Sequence, residues 1–129
     1  MAAEADVLAE LRRLRVRLPQ LSGAMAASVD GLVLAQDAPG DTEPLAALTA
    51  AALGVAQRLT DTAGQGAFLE LLLRGDQGYV ATYAAGSSAV LTLLAEPRVN
   101  VGRLHLEARR AGARIGDLVD GSLGRLEAP

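Results

Sequence analysis

PLAALTAAALGVAQRLTDT, from Pro44 to Thr62, is the stretch on which the reading of the whole chain turns. Alanine and leucine, the strongest apolar helix formers, fill most of it, and its length makes about five helical turns. At roughly 100° per residue, Leu45, Leu48, Ala52, Val55, Ala56 and Leu59 share one face. The opposite face carries Ala47, Ala50, Ala51 and Gly54, and only Gln57 and Arg58 are polar near its end. A helix that is apolar nearly all round is buried on both sides. The large residues are therefore expected to pack on the chain's own core. The small face, where a second backbone can come close, is expected to meet another copy of the same helix. The competing reading is that GC-rich coding supplies alanines everywhere and this face simply meets water.

The surrounding chain fits a single domain, with a core over about residues 5–119 and a flexible tail over 120–129. There is no cysteine, hence no disulfide, thiolate metal site or thiol nucleophile. A net charge of −3 is too near balance to argue for nucleic acid or an anionic membrane. Aromatics at 2% leave no stacking platform for single strands. The opening MAAEADVLAELRRLR is charged and helical rather than a leader, and no run reaches the ~18–20 apolar residues of a membrane span. The expectation is a cytoplasmic protein without membrane insertion.

Taken in order, Val7, Leu11, Leu14 and Leu18 make the stripe of a first helix, Glu4 to Leu18, which Pro19 ends. GAMAASVDGLVLAQ (23–36) reads as a hairpin about the two-residue turn Asp30-Gly31. An acidic loop follows, in which Asp41 or Thr42 caps the central helix and Glu43 and Pro44 suit its first turn. Three strands come next: Ala67–Arg74, YVATYAAG and AVLTLLAE, joined by short turns into a meander. A last helix, capped by Asn100, lines up Val101, Leu104, Ala108, Ala111, Ile115 and Leu118, and the tail from Gly121 is expected to fray. The order is α-β-β-α-β-β-β-α. A five-stranded antiparallel sheet with helices on both faces satisfies it, because few strand positions are polar enough for open water.

Catalytic patterns are thin. No lysine follows a glycine loop, and Gly64-Gln65-Gly66 lies between a helix and a strand, the reverse of a dinucleotide site. His105 is the only histidine and sits at the border of an apolar helix face; a base there needs a cleft and a neighbouring serine or carboxylate. Asp37, Asp41 and Glu43 read as capping and solvation rather than a metal site, and no cofactor is implied. Arg74-Gly75-Asp76, Ser87 and Ser88 read as turn residues. What remains is geometric. The third strand's even positions, Phe68, Glu70, Leu72 and Arg74, mix charge with apolar bulk. In an antiparallel pairing of two copies, Glu70 and Arg74 can each face the opposite charge. The expected dimer interface is thus Ala47, Ala50, Ala51, Gly54 and Arg58 with those four strand residues.

The hairpin Gly23–Ala35, the capped alanine-rich helix from Pro44, AFLELLLRGDQGYVATYAAG and AVLTLLAEP followed by NVGRLHLEARRAGARI together resemble the roadblock, dynein light-chain-like family over roughly residues 5–119. That resemblance implies a profilin-like sandwich and a homodimer built by pairing central helices and third strands. It further implies a non-enzymatic module that binds a small Ras-like GTPase and adjusts its nucleotide cycle, in some operons alongside a sensor histidine kinase. An apolar pocket between sheet and helix, serving a small-molecule sensor, is the alternative.

Overall fold

Val7, Leu11, Leu14 and Leu18 are all buried, and that stripe seats helix α1 (Ala2–Arg17) on a sheet. The structure is a computed structural model that describes residues 2–127, with side chains described over 3–122. Strands β1 (Leu21–Ser28) and β2 (Val33–Asp37) follow, then helix α2 (Glu43–Thr62). Strands β3 (Glu70–Gly75), β4 (Gly78–Ala85) and β5 (Ala89–Ala95) precede the long helix α3 (Val101–Glu127). The sheet runs β2-β1-β5-β4-β3, antiparallel throughout, so β3 is an edge.

The sheet is covered on both faces, as few-polar strands require. Helices α1 and α3 lie on one face, over Leu91, Leu93, Ala81 and Tyr83. On the other face α2 covers a smaller core of Met25, Ala27, Phe68 and Val90. Central strand β5 shows why AVLTLLA has no polar face: Leu91 and Leu93 point into one core and Val90 into the other. Its one polar residue there, Thr92, meets Thr82 of β4 hydroxyl to hydroxyl at 3.1 Å, so neither buried oxygen is orphaned.

Side chains pin the helices in register. Arg15 of α1 donates to the Asp37 carbonyl at 2.9 Å and reaches its carboxylate at 3.3 Å, tying α1 to β2. Asn100 accepts the Arg103 N–H at 3.0 Å and caps α3 as expected. Asp41 accepts the Glu43 N–H at 3.0 Å, while Thr42 holds the N-cap position without a side-chain bond.

Three expectations need correction. The first hairpin is not a two-residue turn: residues 29–32 connect the strands, and of Asp30 and Gly31 only Gly31 has positive φ (+95°). Ser28 supplies the alternative, its hydroxyl accepting the Leu32 N–H at 3.0 Å. The third strand begins at Glu70 rather than Ala67, and Phe68 tucks under α2 before pairing starts. Finally, α3 continues through Gly121 to Glu127 instead of fraying; the last part of that tail, 128–129, lies outside the described residues. Leu118 and Val119 pack on the core, and Asp120 accepts from Ser87 and Ser88 of the β4–β5 turn, so contacts with the rest of the fold hold the helix up to the residue before Gly121.

Candidate interaction surface

Helix α2 sits on the sheet through a stripe of mixed size, with Leu45 partly buried beside it. Ala46, Thr49 and Leu53 are buried and Ala56 is half-buried, a stripe at spacings of three, four and three. The expected inward face is therefore rotated. Leu48, Val55 and Leu59 stand 70%, 68% and 67% exposed, on the side of the helix turned away from the stripe of Ala46, Thr49 and Leu53. Ala47, Ala51, Gly54 and Arg58 are exposed as well, and Ala50 is half-buried. Beside them lies the β1–β2 connection: a Cβ on Gly31 would touch Ala50 and Ala47. Nothing lies within 4 Å of a Cβ placed on Gly54.

The exposed Leu48, Val55 and Leu59 form a ridge with half-buried Ala52 between them. Leu48, Ala52, Val55 and Leu59 recur at four, three and four, the seam along which helices pair. This ridge leans toward the edge strand. Between them runs an apolar groove of about 210 Å³, walled by Leu45, Leu48 and Ala52 of α2 and by Leu71, Leu73 and Val80 of the sheet. Leu69 and Leu73 of the edge segment are also exposed. Strand β3 pairs only with β4, so its outer backbone groups are free to extend the sheet.

The charged positions of β3 go elsewhere. Glu70 and Leu72 point to the α1/α3 face, opposite α2, and Phe68 belongs to the α2-side core, so the expected even-numbered face is not one surface. Arg74 is exposed near the strand's end. Glu70 accepts two bonds from Arg109 of α3 and lies 3.3 Å from His105 Nδ1. The Arg109 guanidinium holds this carboxyl below its usual value, against the opposing push of burial. His105 Nδ1 also meets the Tyr83 hydroxyl at 2.8 Å, and burial drives that phenol well above its ordinary value. His105 thus stands beside a carboxylate rather than in open solvent. Both oxygens of that carboxylate are already held by Arg109, and the group closes α3 onto the sheet edge.

Residues 7–95 match the Roadblock/LC7 domain pattern. The chain belongs to the Roadblock/LC7 family. A relative from Methanocaldococcus jannaschii, the uncharacterised protein MJ1340, is 32% identical over 97 residues, covering 74% of this chain and 84% of its own. Among solved structures, the gliding protein MglB of Thermus thermophilus superposes with a TM-score of 0.86 at 21% identity, covering 94% of this chain and 93% of that one. A Roadblock/LC7 domain from Streptomyces avermitilis gives 0.79 at 21% identity, over 84% of this chain and 92% of that one. These likenesses share the fold described above, three helices on a five-stranded sheet.

In this Roadblock/LC7 chain, sequence reasoning missed a second polar cluster. Glu10 of α1, on the edge of the leucine stripe, is buried and accepts from Arg13 at 2.7 Å and Arg114 of α3 at 2.6 Å. Burial, the largest single influence, pushes its carboxyl up. The two arginines together outweigh it and leave the group lowered. The available signal was an acid bordering an apolar stripe with arginines three and seven residues on. Among the described residues no three His, Cys, Asp or Glu side chains are placed to hold a metal, and none of the described helices is long and apolar enough to cross a membrane.

Proposed function

We propose that two copies of this chain pair through α2 and the free edge of β3, and that the dimer is a non-enzymatic regulator that binds a small Ras-like GTPase. The observation that carries the reading is the ridge of exposed Leu48, Val55 and Leu59 about half-buried Ala52, continuous with the leucines of an edge strand whose outer side is unpaired. A patch of this kind in a folded chain marks a protein contact. Ala51 and Arg58 flank the ridge on its outer side; Ala47, Ala50 and Gly54 lie toward the β1–β2 connection, at the rim of such a contact. The GTPase and the homodimer come from family membership: the resemblance of the central helix and meander supplies both. No side chain here is assigned to chemistry, so the effect on a GTPase is limited to differential affinity for its two nucleotide states.

The groove beside α2 also bears on the sensor alternative. At about 210 Å³ it falls below the ~300–1,000 Å³ of ordinary ligand pockets, and its lining is apolar apart from Thr49 and Thr82, the latter with its hydroxyl taken up by Thr92. That favours a second protein surface over a small molecule. The test is binding of a purified Ras-like GTPase from the same genome, loaded with GDP or a GTP analogue. Tighter binding to one nucleotide state supports regulation, and no binding in either state removes the GTPase from the account.

A further inference from the structure

The groove between α1 and α3 lies on the opposite side of the sheet from α2, and the proposed function makes no use of it. The two helices run antiparallel there, so residues seven apart on one meet residues seven apart on the other. Glu10 meets Arg114 at 2.6 Å, and Arg17 meets Glu107 at 2.8 Å. Arg13 and Arg110 complete the walls, and these six side chains alone line a concavity of about 430 Å³. Four guanidinium groups against two carboxylates leave two positive charges in one place, on a chain whose net charge is −3.

The carboxylates are already committed. Glu10 is gripped by Arg13 on one oxygen and Arg114 on the other, and Glu107 by Arg17. The arginines are not, because each carries five N–H donors in a fixed fork. Arg17 Nη2 is buried and has no hydrogen-bond acceptor, its nearest carboxylate oxygen standing 3.6 Å away on Glu10. An orphaned buried donor of a charged group is costly and asks for a partner. Arg110 is 60% exposed and only 3.8 Å from Glu107, so its fork is open to the groove.

We propose that this α1/α3 groove binds a phosphoryl dianion, held between Arg13, Arg17, Arg110 and Arg114. A phosphate monoester brings close to two negative charges and three acceptor oxygens, which matches the two uncompensated charges; a single carboxylate neutralises only one. Arginine forks take such oxygens two at a time. The six lining side chains include no aromatic group on which a base would stack, so the recognised feature is the phosphoryl group itself. Free phosphate and a phosphorylated side chain of a partner protein share this chemistry.

The experiment titrates the 129-residue chain with inorganic phosphate, and separately with a phosphoserine peptide and its unphosphorylated twin. Ionic strength is held constant with chloride, and arginine Nε–H resonances are followed by NMR. Saturable shifts of the Arg17, Arg110 and Arg114 signals are expected, with affinity falling about tenfold in Arg110→Gln, the loss of one charge-assisted contact. Arg98→Gln, in the β5–α3 connection and outside the groove's lining, leaves the titration unchanged. A phosphopeptide that binds tighter than free phosphate assigns the site to a modified partner, and equal binding assigns it to free phosphate. Shifts that never saturate with either probe overturn the proposal. So does saturable binding that survives both Arg110→Gln and Arg110→Glu in chains whose circular dichroism is unchanged. Either result leaves the α2 surface untouched, since that surface is tested by mass and GTPase binding.

Discussion

Arg109 of α3 grips Glu70 of β3 with two parallel bonds, Nε to Oε1 and Nη2 to Oε2, each 2.8 Å. The edge strand's acid is thereby satisfied inside its own subunit. On the proposed dimer reading, contact across that edge then rests mainly on backbone groups and on the leucines of the α2 side. Replacing Glu70 by Gln is therefore expected to lower the melting temperature slightly and to leave the mass of the assembly in light scattering unchanged. Dissociation of the assembly by this one change would put Glu70 back in the interface.

Gly54 is exposed in the middle of α2 with open space around the position of a Cβ. Glycine there costs a helix interior up to about 1 kcal/mol relative to alanine. Gly54→Ala is expected to raise the unfolding free energy by up to that amount in urea titrations, with no change in mass. A loss of stability or of association would show that a neighbouring helix does occupy the space.

Gly116 is the contrary case. A Cβ there would fall 2.5 Å from the Gly86 nitrogen, where α3 crosses the β4–β5 turn, and the obstacle is backbone that cannot turn aside. Gly116→Ala is expected to cost about 1–3 kcal/mol through overpacking. Denaturant unfolding measures it; a neutral result would mean that the crossing is looser than described.

Glu10 sets an acid limit. Its folded value lies below the ordinary 4.5, so its contribution is complete above about that pH and is lost as pH falls through the folded value. Glu70, lowered by Arg109, acts with the same sign. Stability measured by urea should therefore fall on acidification from about pH 4.5, and Glu10→Gln should flatten that slope while weakening the protein at neutral pH. An unchanged slope in the variant would mean Glu10 is not the group being titrated.

The element order and the two-sided sheet were legible because period and turn chemistry agree along the chain: the leucine stripe of α1, the AVLTLLA of β5 and the Asn100 cap each point one way. The orientation of α2 was not legible. Where apolar residues stand on nearly every side of a helix, hydrophobicity carries little phase, and here the stripe of Ala46, Thr49 and Leu53 is the one that turns inward. The role of β3's even positions was likewise hidden. Phe68 lies before the strand and turns to the α2 core, and the partner of Glu70 lies thirty-nine residues away on α3, beyond any local pattern. The arginine that meets buried Glu10 from α3, Arg114, lies 104 residues away.

The association of two chains through the α2 ridge is tested most directly by sedimentation equilibrium of the 129-residue chain beside the double variant Leu48→Glu, Leu59→Glu. Both positions are exposed in the single chain, so the variant should keep its helical circular dichroism. The account predicts the mass of two chains for the unaltered protein and of one chain for the variant. A parent protein that sediments as one chain at every concentration, or a folded variant that keeps the double mass, would contradict it.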